Sequence, residues 1–185
     1  MNEYPWQIGL VGSGTRPYCG GSILSSKTIL TAAHCTAGTP PSYITVVVVE
    51  HDWTAEDGQE RFSVCSKTEH PAYDSDTVDY DFSILTLCDE IAFKREASPV
   101  CLPAQSGSSY DGVTATFSGW GTLSSGGSQP QQLMEVDMST ITNTKCNAAY
   151  RGAVTASMIC AAEQGKDACQ GDSGVTNIDL LLIMF

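Results

Sequence analysis

Thr31-Ala32-Ala33-His34-Cys35 decides the fold: a strand over Thr28 to Thr31 runs into small residues, a histidine and a cysteine. Two further stretches join it. Asp81-Phe82-Ser83-Ile84-Leu85-Thr86-Leu87 opens on an aspartate and continues as an apolar strand, and Cys169-Gln170-Gly171-Asp172-Ser173-Gly174 holds a serine in a glycine-flanked turn. Singly each is weak, because a lone histidine is more often structural and Gly-Asp-Ser-Gly suits an ordinary turn. In the order His, Asp, Ser, the three together are highly specific. A serine hydroxyl is a poor nucleophile until a base takes its proton, and imidazole titrates near neutral pH. A carboxylate behind that base fixes its tautomer and stabilises the cation that forms. Asp74 and Asp79 lie near Asp81, but only Asp81 opens the apolar strand.

The surrounding sequence reads as all-β. Short β-rich runs such as Ile44-Thr45-Val46-Val47-Val48-Val49 are bounded by Gly, Pro, Ser and Asp, and long helical periodicity is scarce. Strands are predicted over Gln7 to Val11, Thr28 to Thr31, Ile44 to Glu50, Arg61 to Lys67, Phe82 to Leu87, Val113 to Phe117 and Leu133 to Thr140. One helix is predicted from Asn143, as N-cap, to Tyr150. The Ser- and Pro-rich stretch Ala97 to Ser109 is the candidate linker between two lobes. The 185 residues are 42% hydrophobic and 16% charged, enough to build a core in one domain or two small lobes. A net charge of −12 argues against phosphate backbones and anionic membranes as partners. Eight cysteines point to an oxidising, secreted setting, and none has the Cys-x-x-Cys or matched Cys/His spacing of a zinc site. No signal peptide precedes Tyr4-Pro5-Trp6, so the true start is expected elsewhere. Ile178 to Phe185 is apolar but far too short to span a bilayer.

These motifs resemble the trypsin/chymotrypsin family of serine proteases over nearly all of Tyr4 to Gly174. Further matches are Tyr4-Pro5-Trp6-Gln7, Cys19-Gly20-Gly21-Ser22-Ile23-Leu24, Val100-Cys101-Leu102-Pro103 and Ser118-Gly119-Trp120-Gly121. The resemblance implies two six-stranded antiparallel β-barrels with the active site in the cleft between them. Residues 1–100 would form the first barrel, 101–174 part of an incomplete second barrel, and 175–185 an aberrant tail. His34 is implied as general base, Asp81 as the carboxylate that orients it, and Ser173 as nucleophile. The backbone N–H groups of Gly171 and Ser173 are implied as the oxyanion hole. Asp167, with Ala168 and Gln170, is implied as the substrate-binding set. A carboxylate at the base of the pocket needs a cationic partner, which the Arg or Lys of a substrate supplies. Ala168, where many trypsins carry Ser, tilts the preference towards Arg. Partners are expected to be protein or peptide substrates and proteinaceous protease inhibitors, with no nucleic acid and no membrane. A monomer that requires no cofactor is expected.

Glu50 to Glu60 resembles the family's calcium loop. Glu50, Asp57 and Glu60 would give carboxylates, and Asp52 and Ala55 backbone carbonyls, around a tight turn at Gly58. His51 and His70 are read as surface residues, with His70-Pro71 in a turn.

The family pattern pairs Cys19 with Cys35 and Cys146 with Cys160. Cys65 and Cys88 lie on consecutive predicted strands, and a cross-strand disulfide is expected there. Cys101 and Cys169 are left without the partners that the family supplies. Active family members begin with an Ile-Val-Gly-Gly-like stretch whose amino group pairs with the aspartate before the serine, here Asp172; Met1-Asn2-Glu3 stands in its place. After the serine the family continues into Gly-Pro and further strands. This chain instead runs Val175-Thr176-Asn177-Ile178, as intron read-through at a valine codon would produce. The expectation is a secreted enzyme truncated at both ends and inactive as written. A non-catalytic binding module on the same scaffold would have no need of the full set of motifs, and a disulfide-rich structural protein would explain the cysteines alone.

Overall fold

The computed structural model describes residues 3–56, 58–102, 110–122 and 127–162. Strands β1 (Gln7–Val11), β2 (Cys19–Ser25), β3 (Thr28–Thr31), β4 (Thr45–Val48), β5 (Glu60–Glu69) and β6 (Ser83–Leu87) close into an antiparallel barrel in the order β1-β2-β3-β6-β5-β4. Alternation fills its interior. Phe62 and Val64 of β5 and Leu85 and Leu87 of β6 point inward, between exposed or half-exposed neighbours. They meet Ile8, Leu10, Ile23, Ile29, Val46 and Val48 in one core. The β-branched residues of β4 suit a pleated, buried surface. Val49 ends that strand early, because its φ of 60° leaves the extended region. β4 therefore stops short of the predicted Glu50.

The second half contributes β7 (Thr114–Gly119), β8 (Met134–Ile141) and β9 (Cys160–Ala162), which form a three-stranded antiparallel sheet. Helix α1 (Asn143–Tyr150) lies between β8 and β9. Its N-cap is Thr142, not Asn143: Thr142 is extended, and its hydroxyl accepts from Lys145 N. Asn143 instead donates to the carbonyls of Thr155 and Met158, both at 2.8 Å. Among the described residues the architecture is therefore all-β with one closed six-stranded barrel, one open sheet and a single α-helix.

All five residues of β1 are buried, because the strand is covered on both faces. Ile8 and Leu10 enter the barrel core, while the Gln7 side chain accepts from Ser118 Oγ at 3.1 Å. Gly9 is required here, since a Cβ would come within 2.9 Å of Trp53. The Trp53 ring meets Trp120 edge-on at 5.6 Å. Trp120 is buried and its indole N–H donates to the His51 carbonyl at 3.3 Å. The two halves thus meet across a packed interface.

Disulfides join Cys19 to Cys35, Cys65 to Cys88, and Cys146 to Cys160. Cys65 falls where the β5–β6 register shifts between Val64 and Ser66, so the bridge staples a bulge. Cys101 is a free, exposed thiol. Cys169, the tail from Val175 and the linker residues 103–109 lie outside the described residues.

Candidate active site

β3 and β6 are hydrogen-bonded neighbours in which Thr31 faces Ser83. The chain leaves β3 through Ala32 and Ala33, both fully buried, and turns at once. The N–H groups of Thr36 and Ala37 bond back to the Ala33 carbonyl at 3.0 and 2.8 Å. This single helical turn carries His34, and the Cys19–Cys35 bridge ties it to β2. Asp81 sits just ahead of β6, at the same end of the same pair of strands.

The two side chains meet by two bonds. His34 Nδ1 lies 2.6 Å from Asp81 Oδ2, and the His34 backbone N–H donates to Asp81 Oδ1 at 2.7 Å. Asp81 is 3% exposed and the imidazole about one-third, so the carboxylate is enclosed and the ring reaches solvent. An ionised carboxylate can only accept hydrogen bonds. The ring proton therefore belongs on Nδ1, which makes Nε2 the basic nitrogen. Burial and the charge of Asp81 and Asp74 push the Tyr73 phenol above its ordinary range.

A polar network underpins the turn. Thr36, fully buried, donates its hydroxyl proton to Glu69 Oε1 at 2.9 Å and can accept from the Ser83 hydroxyl, also at 2.9 Å. Lys67 Nζ reaches Glu69 at 2.5 Å and the Thr36 carbonyl at 2.6 Å. Burial alone would raise the Glu69 carboxyl, but the bonds from Lys67 and Thr36 outweigh it and hold the group below its usual range. Sequence reading does not identify this cluster; the alternate Lys67 and Glu69 on an otherwise patterned strand are its only signal.

Ser173, Gly171, Asp167, Ala168, Gln170 and Asp172 lie outside the described residues, as does Asp57 of the candidate calcium loop. Several oxygens of the remaining loop residues already have protein partners. The Glu60 carboxylate is already paired with Lys94 Nζ at 2.5 Å. The Asp52 carbonyl accepts Ala55 N–H at 2.9 Å, and the Ala55 carbonyl accepts the Gln59 amide at 3.3 Å. The Asp52 carboxylate takes Thr54 and Gln132, which hold it below its usual range. Glu50 is buried and accepts His51 N–H. Among the described residues, Cys19, His34 and Cys35 are the only three such side chains close enough for a metal, and the two sulfurs are bonded to each other. His51 and His70 are partly buried, unlike the expected surface positions; the His70 ring stacks on Tyr80 at 4.8 Å.

The trypsin family model matches residues 1–179. Trypsin delta of Drosophila melanogaster is 38% identical over 178 residues, covering 94% of this chain and 68% of the relative. Trypsin alpha-4 of Lucilia cuprina is 37% identical over 177 residues, with the same 94% and 68% covered. Trypsin 5G1 of Aedes aegypti is 35% identical over 179 residues, covering 94% of this chain and 66% of the relative.

Proposed function

Because the chain belongs to the trypsin family of serine proteases, we propose that it is built for cleavage of peptide bonds after Arg or Lys by His34, Asp81 and Ser173. The observation that carries this reading is the pair of bonds from His34 to the enclosed Asp81 carboxylate. That arrangement leaves Nε2 to take the Ser173 proton as the hydroxyl attacks a substrate carbonyl. The imidazolium then formed lies against the Asp81 charge and returns its proton to the leaving amine. The N–H groups of Gly171 and Ser173 would stabilise the tetrahedral oxyanion, each contributing on the order of 3 kcal/mol. Asp167 would select the basic side chain, with Ala168 and Gln170 beside it. Substrates are proteins or peptides, and proteinaceous inhibitors would compete for the same cleft. Three disulfides favour a secreted protein, and among the described residues no helix is long and apolar enough to cross a membrane.

The test is covalent labelling by aryl phosphonates carrying an Arg-like or a Phe-like side chain. Ser173 should be the modified residue in a peptide map. The Arg-like probe should react faster, and His34→Ala should abolish labelling. Labelling away from Ser173, or faster reaction with the Phe-like probe, would overturn the assignment.

A further inference from the structure

Asp79 is no candidate for the triad, because no apolar strand follows it, yet its carboxylate is among the most heavily bonded of the described residues. Asp79 Oδ1 accepts from Thr155 Oγ1 at 2.6 Å, from Ser157 Oγ, and from Tyr80 N–H at 3.0 Å. Thr155 and Ser157 belong to the second half of the chain. Asp79 stands two residues before the aspartate that holds His34.

Both ends of this contact are anchored. On the second half, the 154–158 turn is held by α1: Asn143 donates to the carbonyls of Thr155 and Met158, and Asn147 brackets Val154 with bonds at 3.0 and 2.8 Å. The Cys146–Cys160 bridge joins α1 to β9 and so closes the loop that contains this turn. On the barrel side, Asp74 N–H bonds to the Asp79 carbonyl at 3.1 Å. The residues flanking Asp79 are strained: Val78 has φ 56° and Tyr80 φ 52°, a region that non-glycine residues, and β-branched ones above all, avoid. Strain of this kind persists only where surrounding contacts over-determine the backbone. Phe82 N–H then bonds to the Tyr80 carbonyl at 2.8 Å, which places Asp81 at the centre of a tight turn. The two halves face each other beside the latch across an apolar groove of about 240 Å³, with Thr77 and Val78 on one wall and Val154 and Met158 on the other.

We propose that Asp79 is a positioning residue for the His34–Asp81 pair, latching the loop that carries Asp81 to the Thr155–Ser157 turn of the other half. The inference rests on the proposed triad for its functional meaning. The latch fixes the backbone conformation in which the Asp81 carboxylate reaches both His34 donors, and it fixes that pair relative to the half of the chain from which Ser173 comes. The lowered pKa of the Asp79 carboxyl, caused first by Ser157 and then by Thr155, agrees with an ionised group at physiological pH.

The test is amide hydrogen exchange, followed by NMR on the full 185-residue chain. The His34 amide, which Asp81 holds directly, should exchange about tenfold faster in Asp79→Ala and in Thr155→Val/Ser157→Ala. The barrel amides of Ile29 and Leu85 should be unchanged. Asp79→Asn, whose amide oxygen accepts the same hydroxyls, should stay within about twofold of the parent. If Asp79→Ala fails to fold, the Thr155/Ser157 variant answers the question. An unchanged His34 amide overturns the proposal, and so does equal acceleration of His34, Ile29 and Leu85, which would mean stability alone. Absence of Ser173 labelling with this exchange pattern intact would sink the protease reading and leave the latch standing. Normal labelling with unchanged exchange would do the reverse.

Discussion

Replacing Asp81 with Asn probes the centre of the site while leaving its shape intact. In the parent, one carboxylate accepts two N–H groups of the same residue, His34 Nδ1–H at 2.6 Å and the backbone N–H at 2.7 Å. An amide has one acceptor oxygen and one donor nitrogen, so the substituted side chain can satisfy only one of those donors as they stand. The backbone N–H cannot change, but the imidazole can move its proton to Nε2. The side chain should therefore turn its oxygen to the backbone and its NH₂ to Nδ1. Holding the original tautomer would oppose two donors in an enclosed site, a cost of about 2 kcal/mol, or roughly a thirty-fold preference for the switched form. Nε2 then carries the proton and is no longer a base. Phosphonate labelling should fall at least about thirty-fold from the tautomer alone, and towards 10⁴-fold, in order of magnitude, once the charge beside the imidazolium is also lost. Fold stability should change by less than about 1 kcal/mol, since every group remains paired. Nitrogen NMR of the His34 ring reads the tautomer without needing activity. A ring still protonated at Nδ1 in Asp81→Asn would refute the reasoning.

Three further outcomes follow from the structure. The Cys65–Cys88 bridge closes a loop with a sequence separation of 23, for which chain entropy gives about 3 kcal/mol; Cys65→Ala/Cys88→Ala should lower the urea midpoint by about 1–3 M, and a loss under about 1 kcal/mol would show that the strands hold without it. Glu69, Asp74 and Asp79 all have carboxyls lowered in the folded state, so protonation favours unfolding. Their stabilisation is complete above the ordinary carboxylate range, about pH 4, and drains away as pH falls through the depressed values; the melting temperature should drop steeply there, less so in Glu69→Gln, and equal slopes would discount Glu69. Because Lys94 already neutralises Glu60, calcium or a chelator should leave the melting temperature unchanged, and Lys94→Met should cost no more than about 1 kcal/mol at this exposed pair. Marked stabilisation of the parent by calcium would contradict the geometry.

Much of the first barrel is legible because β5 and β6 alternate buried and exposed residues, while β1, β3 and β4 are short apolar or β-branched runs between turn residues. β1 and β3 fall on their predicted bounds, whereas β5 extends beyond Arg61–Lys67 at both ends. β2 escapes a reading as a strand, since Gly20-Gly21 looks like a turn. Its true cause is tertiary: a Cβ at Gly21 would sit 2.7 Å from the Leu30 carbonyl, so close packing of β2 on β3 demands glycine. β9 has only three residues, too few to show any period. The His34–Asp81 pair is legible from residue types at two strand ends. The Asp79 latch is not, because Thr155 and Ser157 are unremarkable loop residues until the fold brings them to one carboxylate.

Since β3 and β6 lie side by side, with Thr31 opposite Ser83, the imidazole and its carboxylate are spaced by a single ladder of backbone bonds. Length variation in the β5–β6 connection ahead of Val78 is absorbed outside that ladder and outside the Asp79 latch, and leaves the spacing alone. Deleting one residue inside either strand would instead send alternate side chains to the opposite face. Relatives of this chain should therefore differ freely in the part of the turn ahead of Val78 and hardly at all in how many residues separate each partner from its strand.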